Sequence, residues 1–273
     1  MWERRSGCSS STCRCETRNR TMNLFSPAPY RHMCIRMLNG RALLALLALL
    51  VLPPGPLHAV DLSARRVPDT IAQRALACTG CHGKEGRATN AGYFPRIAGK
   101  PAAYLYNQLI NVRDGRRTQA AMAHLVDVLS DAYLREIANY FAELNLPYPP
   151  PQTVNTPTSV LERGQSLVLQ GDATRKILAC VQCHGAAMTG VLPAFPGLLG
   201  LPRDYLIGQL GAWQTGKRRA VEPDCMRQIA ERLSAEDVSA LATWVSAQTL
   251  PSSSKAVPAK TGTLPLDCGS GVR

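Results

Sequence analysis

Aromatic residues are scarce in this chain: eight tyrosines, four phenylalanines and three tryptophans make up 5% of 273 residues. So few large rings leave small domain cores short of apolar surface unless something other than side chains supplies it. Long apolar runs are lacking as well. The longest, residues 42–52, spans about eleven residues, and a membrane-crossing helix needs about 20. Beyond residue 59, histidine and methionine are nearly absent, with only His82, His124, His184, Met122, Met188 and Met226. Any chemistry that needs imidazole or thioether must draw on these six.

The short run is bounded by arginines before and by Pro53-Pro54-Gly55-Pro56 after. That pattern is a secretory signal rather than an anchor, with cleavage expected after Ala59. Residues 1–59 are therefore a presequence. Its Cys-, Ser- and Arg-rich start precedes the signal without hydrophobic periodicity, so translation could begin at Met33 or Met37, and Cys8, Cys13, Cys15 and Cys34 are assigned no role. Residues 1–59 hold eight arginines and two glutamates, so without them the formal charge of +12 falls to +6. A reading as a nucleic-acid binder loses its support with it.

What the chain does have is a pentapeptide used twice. Cys78-Thr79-Gly80-Cys81-His82 returns as Cys180-Val181-Gln182-Cys183-His184. This C-x-x-C-H pattern is the attachment signature of c-type haem. The two thiols can each add to a vinyl group of the porphyrin, and the histidine then lies where its imidazole can reach iron. Half a zinc site or a redox dithiol would explain a single C-x-x-C, but zinc calls for two further ligands in a similar cluster, and here each cluster ends in its own histidine and is repeated whole.

The repeat extends beyond the cysteines. Phe94-Pro95, Gly99, Pro101, Tyr104-Leu105 and Gln108-Leu109 recur as Phe195-Pro196, Gly200, Pro202, Tyr205-Leu206 and Gln209-Leu210, and Gly115-Arg116-Arg117 answers Gly216-Lys217-Arg218. A duplicated domain follows. Domains are expected at 60–146 and 159–250, joined by a stiff Pro-rich linker at 147–158 and followed by a flexible tail at 251–273. Each unit reads as helical. Ile71, Ala72, Ala75 and Leu76 share a face of a helix entering the first haem motif, and Pro101 opens a second helix carrying Leu105, Leu109 and Val112. Ser130 caps a helix striped by Leu134, Ile137, Ala138 and Phe141. Ser234, with Asp237, caps its counterpart, striped by Val238, Leu241, Ala242 and Val245.

The ligand opposite the histidine decides what such an iron does: methionine favours electron transfer, whereas an open position invites small-molecule chemistry. Met122 and Met226 obey the repeat, each seven residues before a Leu-Ser pair, at Leu129-Ser130 and Leu233-Ser234. The expected metal ligands are thus His82, Met122, His184 and Met226, with Cys78, Cys81, Cys180 and Cys183 holding two covalent haem c groups. Met188 has no counterpart and reads as a loop residue. His124 is a rival ligand without a partner in the second unit. Cys225 is another rival, though an ordinary buried thiol or a disulfide with Cys268 fits it better, and the sequence leaves those two open.

With these motifs the chain resembles the dihaem cytochrome c4 family across about residues 69–248. The resemblance implies an all-α fold of two tandem cytochrome c domains about a pseudo-twofold axis, with the carbonyls of Pro95 and Pro196 accepting the second ring proton of His82 and His184. It also implies that Arg116, Arg117, Lys217 and Arg218 face haem propionates, or else form solvated basic turns. The expected function is a periplasmic electron carrier, not an enzyme, passing single electrons towards a terminal oxidase, with peripheral membrane association open to it. A cytochrome subunit of a periplasmic dehydrogenase is the second reading, and a dihaem peroxidase the third.

Overall fold

Ten helices organise the described part of the molecule, which is a computed structural model covering residues 67–88, 94–259 and 264–271. The apolar run, the expected cleavage point and the four early cysteines lie outside those residues. In the first half, α1 (Ile71–Arg74) and α2 (Leu76–His82) lead into the first haem motif, and α3 (Ala102–Arg113), α4 (Ala120–Val126) and α5 (Asp131–Glu143) follow. In the second, α6 (Thr158–Leu169) and α7 (Val181–His184) are followed by α8 (Arg203–Gln214), α9 (Cys225–Ala230) and α10 (Ala235–Ser246). A two-residue hairpin, β1 (Gly190–Val191) against β2 (Phe195–Pro196), is antiparallel and pairs Gly190 with Pro196.

The strongest helices are those whose ends and stripes agree. Ser130 accepts a hydrogen bond from the Tyr133 N–H at the start of α5. Leu134, Ile137, Ala138 and Phe141 are all buried, each large one stabilising the fold by about 2 kcal/mol. In α10 the Ser234 and Asp237 side chains and backbones bond reciprocally as a capping box, and Val238, Leu241, Ala242 and Val245 are buried. Pro101 and Pro202 cap α3 and α8 from outside the helix, where a missing N–H costs nothing.

Two expectations need correction, and the linker shows an anchoring that sequence did not reveal. The helix entering the first motif breaks at Ala75, where the Cys78 N–H reaches only three residues back to the Ala75 carbonyl. That tight turn rephases the stripe, so Ala75 is buried while Leu76 is 53% exposed. The segment after Leu250 is not loose over its described residues: Val257 bridges Val191, and Cys268 is disulfide-bonded to Cys225. The stretch after Pro147 is extended, but it is pinned to both halves. Arg96 donates to the Leu146 and Pro147 carbonyls, its guanidinium lies 3.9 Å above the Tyr148 ring, and the Arg203 N–H donates to Gln152.

The described residues of the two halves belong to one compact unit. Arg117 and Arg218 pair across the repeat as an antiparallel bridge, with the Thr118 N–H donating to the Lys217 carbonyl and the Arg219 N–H to that of Arg116. Core side chains form one cluster in the second half and two separate clusters in the first. Members of all three clusters line the site.

Candidate cofactor site

Both motif histidines end their helices and are buried, each 7% exposed. The next residues, Gly83 and Gly185, take φ of 75° and 85°, a left-handed turn that glycine enters without penalty. The turn sends the chain round, and it returns at Pro95 and Pro196. His82 Nδ1 donates to the Pro95 carbonyl at 2.8 Å, and His184 Nδ1 to the Pro196 carbonyl at 2.7 Å. A carbonyl can only accept, so the proton sits on Nδ1 and the Nε2 lone pair is left for a metal. Burial lowers both histidine pKa values, favouring the neutral ring.

The four motif cysteines are unpaired thiols. Burial pushes the Cys78 and Cys183 thiols up, and Cys180 to about 11. Among the described residues no three His, Cys, Asp or Glu side chains gather as a metal-holding group.

One cavity of about 1000 Å³ runs through both halves. Cys78, Cys81, His82 and Met122 line it on one side, Cys180, Cys183, His184 and Met226 on the other. The remaining wall is largely apolar, with Val126, Ile137 and Phe141 from the first half and Leu210, Leu241 and Val245 from the second. The sequence rivals fall elsewhere. His124 is exposed and is not part of the wall. Met188 is 5% exposed within the core of the second half, also away from the cavity. Cys225 is committed to Cys268.

Of the four expected cations, Arg116 points away, bonded to Asn111 and Asp114. Arg117 and Arg218 face each other instead. Both donate to Oε1 of Gln108 and of Gln209 at 2.6–3.0 Å, and Arg218 lies 3.9 Å from the Trp213 ring. Lys100, 4% exposed, donates to the Gly197 carbonyl at 2.8 Å. Burial lowers it to about 7 and lowers Arg218 as well. Among the described residues no carboxylate pairs with any of these three cations. Buried positive charges without an acid are costly, and they suit an occupant with an anionic edge. Sequence reading missed Lys100 and the glutamine pair. Gln108 and Gln209 do recur in register, but the arginine that each bonds in the other half leaves no mark on that local pattern.

A family profile described as cytochrome c oxidase, cbb3-type, subunit III matches residues 64–141. A thiosulfate dehydrogenase electron acceptor of Thiomonas intermedia is 36% identical over 68% of this chain and 84% of its own. A cytochrome c4 of Pseudomonas aeruginosa is 31% identical over 63% of this chain and 84% of its own. The chain belongs to the dihaem cytochrome c4 family. The crystal structure of reduced recombinant cytochrome c4 from Pseudomonas stutzeri agrees, at 27% identity and a TM-score of 0.57, over 66% of this chain and 97% of that one. As a cytochrome c4, the chain is an all-α electron-transfer protein of two tandem cytochrome c domains, with two covalently bound haem c groups. The cavity fits that cofactor: paired thiols, buried imidazoles with a free nitrogen, thioethers and unpaired cations all line one apolar space.

Proposed function

We propose that this cytochrome c4 is a periplasmic relay that takes single electrons from a dehydrogenase and passes them towards a terminal oxidase. The observation that carries it is the delivery of His82 with Met122 and His184 with Met226 into one cavity. When bound, the two haems supply iron that alternates between ferrous and ferric states. Cys78 and Cys81 hold one haem and Cys180 and Cys183 the other. The Pro95 and Pro196 carbonyls fix the imidazoles, and Met122 and Met226 would offer thioether sulfur to the irons, which would favour electron transfer over small-molecule chemistry. Apolar walls keep water out, and Arg117, Lys100 and Arg218, which line the same space, would offset the charge of the propionates.

The donor in this reading oxidises an inorganic sulfur compound, because the Thiomonas relative is named as the electron acceptor of thiosulfate dehydrogenase. A presequence of signal type supports export, and among the described residues no helix is long and apolar enough to cross a membrane. Two measurements test the reading. Met122→Ala and Met226→Ala each remove half of the methionine-to-iron charge-transfer band of the oxidised protein; retention of the full band in both overturns the ligand assignment. The oxidised holoprotein mixed with thiosulfate dehydrogenase and thiosulfate is reduced within catalytic turnover; failure with that donor, beside success with another dehydrogenase, removes the sulfur assignment.

A further inference from the structure

The two methionines line one cavity but are not held alike. By the repeat, Ala121 precedes Met122 where Cys225 precedes Met226. Around Met122, Ala120 and Ala121 are exposed, as are Leu125 at 47% and Val128 at 85%. Around Met226 the chain is tied down. Asp224, 2% exposed, accepts hydrogen bonds from the N–H groups of Arg227 and Ala220, and its own N–H donates to Glu222. Cys225 is bonded to Cys268, 43 residues on.

The segment that Cys268 brings is part of the wall. Leu266, Cys268, Ser270 and Gly271 line the same cavity as Met226. The Gly269 N–H donates to the Pro223 carbonyl at 3.0 Å, and a Cβ there would collide with the Glu222 carbonyl, so the strap lies flush on the turn that opens α9. Asn107 of the first half donates to the Ser270 carbonyl at 3.0 Å. Shifted back by the repeat, this segment falls within α6, and among the described residues the first half has no disulfide-tied strap.

We infer that the Cys225–Cys268 disulfide and the strap 264–271 are positioning elements that keep Met226 on its iron, leaving Met122 as the displaceable ligand of the pair. The inference rests on Met122 and Met226 being the ligands. A methionine leaves its iron when its segment opens locally. For α4 that opening exposes a short helix already half in solvent. For α9 it must also lift the strap, and the cross-link limits how far the helix can go, so the thioether returns more readily than a competitor can bind.

Imidazole titration of the oxidised holoprotein, followed by the charge-transfer band, tests this. Wild type loses half the band at one concentration and the rest at a concentration at least about tenfold higher. Met122→Ala keeps only the resistant step and Met226→Ala only the sensitive one. In Cys225→Ala/Cys268→Ala the resistant step moves down to join the other. Should that variant fail to mature, the disulfide of the finished holoprotein is opened with a dithiol, both thiols are alkylated, the mass gain is confirmed and the iron reoxidised before titration. A single step in wild type, or a resistant step unmoved by opening the disulfide, overturns the inference. If neither methionine variant alters the band, the ligand reading itself has failed, and that outcome is distinct from both.

Discussion

Asp237 shows what a single residue can reveal at two ranges. From sequence it is the capping partner of Ser234, three residues away, and the structure bears that out. What the sequence hides is that the same carboxylate accepts from Arg163 at 2.6 Å and from Arg175 at 2.6 Å, partners 74 and 62 positions distant. Burial alone would raise this carboxyl, but the bonds from Arg175, the Ser234 N–H and Arg163 outweigh it and hold the pKa at about 2. The folded value lies below the unfolded one of 3.8, so the stabilisation is complete above about pH 4 and is lost as pH falls towards 2. Asp237→Asn should lose about 2 kcal/mol at neutral pH, and its difference from wild type in urea unfolding should close across that acid window. A difference constant from pH 7 to pH 2 would mean that charge plays no part. Motif residues such as His82 and Met226 were legible because their spacing is local or repeated. Lys100 and Gln108 were not, because what makes them matter lies in the other half.

At the scale of elements, caps and stripes were readable and breaks were not. Ser130 and Ser234 open helices whose expected stripes, Leu134 to Phe141 and Val238 to Val245, turn inward. The kink at Ala75 carries no proline or glycine, and the β1/β2 hairpin is too short to show a period, so tertiary packing decides both. The two caps are also unequal. Ser130 satisfies one N–H, whereas Ser234 belongs to a reciprocal box whose acid is itself gripped by two arginines. Removing the Ser234 hydroxyl strips the Asp237 N–H of its acceptor and so loosens the backbone beneath the carboxylate that both arginines grip. Ser234→Ala should therefore cost about 2 kcal/mol and Ser130→Ala about 1, measured by urea unfolding of the holoprotein. Equal costs would show that the box adds nothing to a simple cap.

For the whole molecule, the repeat foretold two copies but not how they face each other. The apposition comes from Arg117 and Arg218, whose guanidiniums share the glutamines of both halves inside the common cavity. A cation beside a redox centre disfavours its more positive state, so it raises the reduction potential. Because Arg218 is bonded to Gln108 of the first half as closely as Arg117 is, its charge should act on both centres and not only on its own. Arg218→Gln is therefore expected to lower both potentials in a redox titration, while Arg218→Lys retains most of the charge and moves them less. Should only the second centre respond, each arginine serves its own half and the crossing is merely mechanical. If both respond, the pair is an electrostatic link built into the joint.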